Sequence, residues 1–227
     1  MATATLTIRR NFKRPSKSLI QQFAGVPTPN IGDSQNREGA VDFGIKPVFS
    51  PFSPFAGPAL TVSVLDRDNL AAHVVMEFIQ PGDVLVIETH DCTTGAVFGD
   101  LMLCMYKNCG VAAVITDGVV RDIEEIKRHK VPVFARGLSL KGPHKNGPGT
   151  IGLDVTIGGV VIRSGDIIVG DSDGAIVVPQ DRIKDTLDSL KVVREKEEAM
   201  LAQVNSGMRI MPFAKEFLAG PGVQFVD

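Results

Sequence analysis

The strongest constraint on the fold is an alternation of helical patterns and short apolar runs between residues 69 and 130. Two apolar runs, 84–87 and 111–115, contain no polar side chain and are too short for helices, which is typical of buried strands. Helices are predicted over 69–79, 101–108 and 123–130, where apolar residues recur at helical spacing. Strands that alternate with helices predict a parallel sheet with helices packed on it. The predicted fold class is therefore α/β.

The segments around this region have different patterns. An amphipathic segment over 17–23, then the sequence VPTPN and a short element from Ile31, predict an N-terminal helical arm. Prolines between Val48 and Pro58 exclude a regular helix, and the β-branched sequence after Pro58 predicts a strand. After Pro132, glycine-rich turns separate short apolar runs, which predicts hairpin strands.

A long amphipathic pattern runs from 181 to about 206 and stops at Gly207. At about 1.5 Å per residue, this helix would be roughly 39 Å long, more than the core of one domain needs. We therefore predict that its far end contacts a neighbouring subunit.

Composition limits the classes of function. The chain has 227 residues, 44% of them hydrophobic, so it can bury the core of one large domain, predicted to span 1–227. A net charge of -2 shows no basic excess for binding nucleic acid. No apolar run approaches the ~20 residues that span a membrane, and the basic N-terminal segment precedes no apolar stretch. Three cysteines and four histidines lack the spacing of zinc sites or disulfide frameworks. We expect a cytoplasmic protein without nucleic-acid or membrane partners.

Two short acidic motifs stand at corresponding places in the strand and helix pattern. Gly99-Asp100-Leu101-Met102 opens one predicted helix, and Arg121-Asp122 opens the next. In an open parallel sheet, ligands bind beyond the carboxyl ends of the strands, where helix N-termini and loops converge. The two motifs are therefore predicted to meet in one cleft.

These residue types can bind a carboxylate and a hard cation. Unpaired N–H groups at the start of the helix favour a small anion, and Gly99 allows it to approach the backbone. Arg121 can form a two-pronged contact with a carboxylate or with an oxygen that gains charge. Asp122 is a candidate ligand for Mg²⁺ or Mn²⁺, since one carboxylate with water in the other positions suits these ions better than zinc.

A second interpretation of the same residues is helix capping. Asp100 and Asp122 are both favourable N-cap residues, and Asp122 with Glu125 matches a capping box. Of the weaker candidates, Asp171-x-Asp173-Gly174 is better explained as a β-turn than as a calcium loop, and His144 as a solvated loop residue. The charge run 194–198 is typical of a solvated helix face.

Beyond these motifs, the chain resembles a family of class II pyruvate aldolases over about residues 26–180. These enzymes cleave 4-hydroxy-4-methyl-2-oxoglutarate and 4-carboxy-4-hydroxy-2-oxoadipate, and their relatives include the regulators of ribonuclease E activity. The likeness rests on the G-D and R-D positions and on the sequences PTPNIGDS, AGPALTV, DNLAAH, PGDVLVIE, GVAAVITDGVVRDIEEI, PVFARG and GDIIVGDSDGAIVVP. It implies a swivelling β/β/α sandwich that assembles as a trimer or hexamer, with active sites at subunit interfaces.

The resemblance also implies roles for individual residues. The backbone of Gly99, Asp100, Leu101 and Met102, together with Arg121, would bind the pyruvate unit of a 2-keto acid. Asp122 would bind the divalent metal directly, and Asp100 would hold a water molecule on that metal. Glu197, or alternatively Glu198, from the C-terminal helix of a neighbouring subunit would bind the metal through water.

The implied reaction begins with removal of the C4 hydroxyl proton, assisted by Asp100. The carbon–carbon bond then breaks to leave a pyruvate enolate, whose negative charge Arg121 and the metal stabilise. Oxaloacetate decarboxylation passes through the same enolate and is an expected side activity. Arg67, His144 and Lys145 are candidates for substrate selection. The alternative prediction is a non-enzymatic regulator of ribonuclease E, because those proteins share the same central motifs.

Overall fold

The computed structural model describes residues 5–65 and 67–226, so positions 1–4, 66 and 227 of the predicted domain lie outside the described residues. Helices and strands alternate through the middle of the chain, as the pattern predicts. The described strands are β1 Leu6–Ile8, β2 Lys46–Pro47, β3 Phe55–Val64, β4 Val84–Glu88, β5 Ala113–Thr116, β6 Val119–Val120, β7 Val133–Ala135, β8 Gly137–Leu138, β9 Gly149–Ile151, β10 Val155–Ile157, β11 Val160–Ile162, β12 Ile167–Gly170 and β13 Ala175–Val178. The described α-helices are α1 Lys17–Ile20, α2 Thr28–Ser34, α3 Leu70–Val74, α4 Asp100–Asn108, α5 Ile123–His129, α6 Ile183–Asn205 and α7 Pro212–Leu218.

The main sheet has a parallel centre. Its order is β1-β9-β3-β4-β5-β7-β2. The pairs β3–β4, β4–β5 and β5–β7 are parallel, whereas β9 and β2 pair antiparallel on either side of them. The ten-residue β3 joins two parts of the sheet, because its first half pairs with β12 and its second half pairs with β4 and β9. The predicted parallel sheet is confirmed.

The central strands are buried on both faces. Along β4, Leu85 and Ile87 pack against α3, α4 and α5, while Val84 and Val86 pack against the β10–β13 hairpins. This alternation follows from the two-residue period of a strand, and it explains why the strand is apolar at every position. A third cluster packs α2 and the first half of α6 on the far side of β12 and β13.

The C-terminal helix leaves the body of the domain part-way along its length. Ile183, Thr186 and Leu190 are buried, whereas Leu201 is 55% exposed and Val204 is 47% exposed. The helix has 23 residues, which corresponds to about 35 Å at ~1.5 Å per residue. Its second half therefore presents apolar side chains that the same chain does not cover.

Several element boundaries differ from the predictions. The strand predicted after Pro58 begins at Phe55, because Pro58 pairs only on the β12 side and the β4 pairing starts at Ala59. The predicted helix over 69–79 is α3 followed by a 3₁₀ turn, Val75–Phe78. The sequence VPTPN, residues 26–30, was predicted to precede a short element that begins at Ile31. Instead, α2 begins within this sequence, with Pro29 in its first turn. No helix within residues 5–65 and 67–226 is long and apolar enough to cross a membrane.

Candidate functional site

The two acidic motifs lie side by side, as the sequence predicts. Gly99 precedes α4, and Arg121-Asp122 connects β6 to α5. The Arg121 N–H donates to the carbonyl oxygen of Phe98 at 3.2 Å, which joins the two connecting segments directly. Residues separated by about twenty positions in the chain therefore form one surface at the start of both helices.

Asp122 has an unusual backbone conformation, with φ 63° and ψ 45° in the left-handed region. Aspartate tolerates this region better than most residues, because its short polar side chain can form local hydrogen bonds. Its Oδ2 accepts the backbone N–H of Asp100 at 3.2 Å and lies 3.4 Å from Arg121 Nε. The side chain of Asp122 thus turns away from its own helix and toward the start of α4.

Gly99 allows this close approach. A Cβ atom at position 99 would collide with Asp122 Oδ2 and would lie 2.9 Å from Arg121 Cγ. Real Cβ atoms essentially never approach this closely, so any side chain here would displace Arg121-Asp122. Glycine at 99 is therefore required by packing against the second motif.

The capping interpretation is wrong for Asp100, and for Asp122 it is right about the position but not about the hydrogen bond. Asp100 is the first residue of α4 and not its N-cap, which is Gly99. Asp122 is the N-cap of α5, but its side chain makes no capping hydrogen bond there. Asp122 instead accepts an N–H of the other helix, because its left-handed backbone directs the carboxylate toward Asp100.

Two clefts adjoin Arg121 and Asp122. One has a volume of 230 Å³, and its lining includes Gly99, Leu101, Met102 and Lys145. The other has a volume of 310 Å³ and is lined by Arg121 and Asp122 together with Ile123, Leu138, Ser139 and Leu140. The side chains of Arg121 and Asp122 are 43% and 41% exposed, so both remain accessible to a ligand.

The first cleft is mainly cationic. Its lining contains two cationic side chains, Arg121 and Lys145, and one acidic side chain, Asp122. His73 also lines it. Burial lowers the pKa of His73, and the positive charge of Lys145 lowers this pKa further. Within the described residues, the N–H groups of Leu101 and Met102 at the start of α4 have no hydrogen-bond acceptor. An anionic ligand would find two cationic side chains and free N–H donors here.

Asp100 lies beside the clefts and is not part of their lining. Its Oδ1 lies 2.6 Å from Nε2 of His129, the last residue of α5, and the two side chains are 28% and 19% exposed. His129 therefore holds one oxygen of the carboxylate. Within the described residues, Oδ2 of Asp100 has no hydrogen-bond donor.

Glu197 lies apart from this cluster within one chain. Its Oε2 accepts a hydrogen bond from Asn30 Nδ2 of α2 at 2.6 Å, and no residue of α6 lines either cleft. Glu198 is exposed on the same helix. The roles predicted for Glu197 or Glu198 concern a neighbouring subunit, so they stay predictions.

The residues around Asp122 fit a hard divalent cation. Within residues 5–65 and 67–226, Oδ1 of Asp122 forms no hydrogen bond, so it is available to a ligand. The same part of one chain contains no cluster of three or more histidine, cysteine, aspartate or glutamate side chains arranged around a metal. A cation would thus be held by one direct carboxylate, with water and substrate oxygens in the remaining positions. Mg²⁺ and Mn²⁺ accept such a set.

The weaker candidates lie elsewhere or have structural contacts. Asp171 accepts hydrogen bonds from the N–H and hydroxyl of Thr28, both at 2.8 Å, and from the N–H of Asp173 at 2.9 Å. This geometry confirms the turn between β12 and β13. His144 has an exposed side chain, and Arg67 reaches the carbonyl of Gly142 outside the clefts. Of the three residues predicted for substrate selection, Lys145 lines the first cleft.

Sequence reasoning did not identify three residues of this region: Asn69, His73 and His129. Asn69 is 2% exposed and donates to the carbonyl of Val97 at 2.9 Å, so it ties α3 to the segment before α4. His73 follows one turn later in α3 and lines the same cleft. The DNLAAH sequence contains both, but helical spacing alone does not show that they face the Arg121 motif.

Comparison with known proteins assigns the family. A family model described as RraA-like, Aldolase/RraA, matches residues 28–177. This chain belongs to the aldolase/RraA family. A protein from Halalkalibacterium halodurans is 38% identical to it over 180 residues, which are 79% of this chain and 85% of that protein. That relative bears the name "Putative 4-hydroxy-4-methyl-2-oxoglutarate aldolase".

Solved structures of other proteins share the fold. The Streptomyces coelicolor protein RraAS2, described as an unusual member of the RNase ES inhibitor RraA protein family, superposes with a TM-score of 0.74 at 26% identity. It covers 84% of this chain and 100% of its own. An uncharacterized protein from Pseudomonas syringae has a TM-score of 0.77 at 23% identity over 88% of this chain and 93% of its own. The mixed α/β fold with a long C-terminal helix is thereby confirmed.

Proposed function

We propose that this protein is a divalent-metal-dependent class II aldolase. It cleaves 4-hydroxy-4-methyl-2-oxoglutarate, or a related 4-hydroxy-2-oxo acid, to pyruvate, and decarboxylates oxaloacetate as a side activity. The observation that carries the proposal is the meeting of Arg121, Asp122 and the open N-terminus of α4 around one cleft. The name of the Halalkalibacterium halodurans relative supports the lyase assignment.

The chain's own residues would bind the pyruvate unit at its charged end. The free N–H groups of Leu101 and Met102 at the start of α4 would receive the carboxylate, helped by the helix dipole. The absence of a side chain at Gly99 lets Arg121 and Asp122 pack against the start of α4, beside these N–H groups. Arg121 would contact the same unit with its planar guanidinium and would stabilise the oxygen that becomes an enolate.

The proton of the C4 hydroxyl would leave through a water molecule near Asp100. A carboxylate can accept this proton when it is held within hydrogen-bond reach of the water. Asp122 would hold the divalent cation directly, and Asp100 and Glu197 would contact it through water. When bound, Mg²⁺ or Mn²⁺ supplies Lewis-acid polarisation of the 2-keto group.

The second half of α6 would complete the site of a neighbouring subunit. Glu197 lies on the exposed part of this helix, where Leu201 and Val204 are also uncovered in one chain. A homotrimer or homohexamer would cover these side chains and bring a second carboxylate to the cation. Asn30, which donates to Glu197 at 2.6 Å, would then lie in the same interface.

The proposal is tested by coupling pyruvate release to lactate dehydrogenase. Oxaloacetate and 4-hydroxy-4-methyl-2-oxoglutarate are assayed with Mg²⁺, Mn²⁺ or EDTA, and metal-only rates are subtracted. We expect metal-dependent release by the wild type and loss of about 100-fold or more in Asp122→Asn. Asparagine tolerates the left-handed backbone of position 122, so the variant should fold. Asp154→Asn is the matched control, because Asp154 is 47% exposed and forms only surface ion pairs.

A regulator of ribonuclease E is the second candidate, and the likeness to RraAS2 over 84% of this chain favours it. A regulator requires a binding surface but no free carboxylate at Asp122. A pull-down with ribonuclease E distinguishes the two. Retained ribonuclease together with absent pyruvate release under every metal condition would support the regulator and contradict the aldolase.

A further inference from the structure

We propose that His129 is a positioning residue that fixes the carboxylate of Asp100 for proton transfer. This inference rests on the proposed function, because it concerns the residue assigned there to the C4 hydroxyl proton. The chemistry of the pair is simple: an imidazole N–H donates to one carboxylate oxygen and leaves the other oxygen for water.

The contact joins the ends of two packed helices. Asp100 is the first residue of α4, and His129 is the last residue of α5. The distance between Nε2 and Oδ1 is 2.6 Å, which is a short hydrogen bond. With 19% and 28% of the side chains exposed, the pair is partly shielded from water. His129 lies in the last turn of α5, which packs against α4.

The rest of the carboxylate is left free. Within residues 5–65 and 67–226, His129 provides the side-chain hydrogen bond to Asp100, and Oδ2 receives none. The backbone N–H of Asp100 meanwhile donates to Asp122 Oδ2. Asp100 is therefore held at two points, its backbone N–H and Oδ1, and Oδ2 is the carboxylate atom that remains to accept a hydrogen bond from water.

Removing this anchor should affect turnover more than binding. Without the His129 donor, the Asp100 side chain could rotate toward solvent and hold the water less often in a productive position. Partners that orient a ligand or base typically contribute 10-fold to 100-fold to activity. The pyruvate unit is bound by other groups, so its KM should change little.

The kinetic test uses three variants of the full-length protein. We expect His129→Leu to lower kcat about 10-fold with KM within about 2-fold of wild type. His129→Gln keeps an N–H donor of similar reach and should restore kcat to within about 3-fold of wild type. His90→Leu is the matched control, because His90 is half-exposed, contacts Ser63 at 3.2 Å and lines neither cleft. It should leave kcat unchanged.

An NMR measurement tests the contact without activity. In protein with ¹⁵N-labelled histidine, the His129 Nε2 should carry a proton at neutral pH, and this signal should shift when Asp100 is replaced by Asn. An unprotonated Nε2, or unchanged or higher kcat in His129→Leu, would overturn the proposal. An equal loss of kcat in the Leu and Gln variants would also overturn it. If the wild type lacks all lyase activity, the proposed function fails, while the NMR result still decides whether His129 holds Asp100.

Discussion

The carboxylate of Asp122 accepts the backbone N–H of Asp100 at 3.2 Å, so the residue that begins α5 stabilises the beginning of α4. This hydrogen bond uses Oδ2 and leaves Oδ1 available to a ligand. It also brings the Arg121-Asp122 motif against the N–H groups of α4, where a carboxylate binds favourably. One residue thus has both a structural contact and a proposed metal contact.

Gly99→Ala should disrupt this arrangement. The new Cβ would collide with Asp122 Oδ2, so Arg121-Asp122 must move. We expect loss of pyruvate release and a decrease of about 1–3 kcal/mol in the free energy of unfolding, measured by urea denaturation. Gly32→Ala is the control, since its Cβ would contact only Ile176 at 3.6 Å and alanine is favoured in a helix. Full activity in Gly99→Ala would contradict the close packing of the two motifs.

Arg121 should be difficult to replace. Arg121→Ala removes the guanidinium that we propose contacts the pyruvate unit and its developing charge, so kcat/KM should fall by about 100-fold to 1000-fold. Arg121→Lys should recover little, because an ammonium group cannot form the two-pronged contact. Steady-state kinetics check this, with Arg163→Ala as the control because Arg163 forms a surface ion pair 3.5 Å long with Asp154. Near-normal turnover in Arg121→Lys would show that a single positive charge is sufficient for catalysis, and it would contradict the need for a two-pronged contact.

The pKa of His73 should report on the occupancy of the cleft. Burial lowers this pKa first, and Lys145 lowers it further, so Lys145→Gln should raise it without restoring its usual value. Bound pyruvate brings a negative charge and should also raise it. Histidine NMR titrations with and without pyruvate measure both effects. If pyruvate left the His73 pKa unchanged, the anion would not bind in this cleft.

The lowered pKa of His73 should also make the free energy of unfolding depend on pH in a known direction. Below the usual histidine pKa, the unfolded chain binds a proton that the folded chain does not bind at His73. The contribution of His73 to stability is therefore complete above the usual histidine pKa and is lost as the pH falls from that pKa to the lowered pKa of the folded protein. Replacing His73 with Gln should reduce the decrease in the free energy of unfolding between pH 7 and pH 5, measured by urea denaturation. An identical pH dependence in both proteins would contradict this assignment.

Asp171 should stabilise the fold without calcium. Its carboxylate accepts the N–H and hydroxyl of Thr28 at the start of α2, so Asp171→Ala leaves both donors without this acceptor. We expect Asp171→Ala to lower the free energy of unfolding by about 1–3 kcal/mol. The midpoint of urea unfolding of the wild type should not change when Ca²⁺ is replaced by EDTA. Asp173→Ala is the control, because Asp173 contributes its backbone N–H to this turn. A calcium-dependent midpoint in the wild type would restore the calcium-loop hypothesis.

Mixed oligomers test whether the site is shared between subunits. Asp122→Asn and Glu197→Gln should each lower activity as pure proteins. If Glu197 serves a neighbouring site, unfolding and refolding the two variants together should restore part of the activity, because some sites then combine an intact Asp122 with an intact Glu197. Each variant refolded alone is the control. No recovery in mixtures that form hetero-oligomers, verified by differently tagged chains, would contradict a site shared between subunits.

The strand and helix pattern could be predicted because it depends on local periodicity. The fully apolar run of β4 is explained by packing on both faces, and the helix after Gly99 begins within one residue of the prediction. The start of β3 was predicted wrongly because of Pro58. A strand tolerates proline where no neighbouring strand needs its N–H, and Pro58 pairs only with β12. Which strands pair at a given position depends on the tertiary structure and cannot be read from local periodicity.

The site was predictable only in part for the same reason. Asp100, Arg121 and Asp122 follow strand ends, so topology alone brings them together. Asp122 is the N-cap of α5 as predicted, but its capping hydrogen bond does not form, because the backbone has a φ of 63° and directs the carboxylate toward α4. His129 was not identified because its contact with Asp100 depends on how α5 packs against α4. Side chains that meet across two helices leave no periodic signal in the sequence.

The most direct test of the central claim is the exchange of pyruvate methyl protons for deuterium in D₂O. Enolate formation exchanges these protons, so the measurement needs no knowledge of the physiological hydroxy-keto acid. With Mg²⁺ or Mn²⁺, proton NMR should show exchange by the wild type and by Asp154→Asn. EDTA should stop it, and Asp122→Asn should slow it by about 100-fold or more. Exchange at the wild-type rate in Asp122→Asn, or no exchange by the wild type with either metal, would contradict a metal-dependent pyruvate lyase at this site.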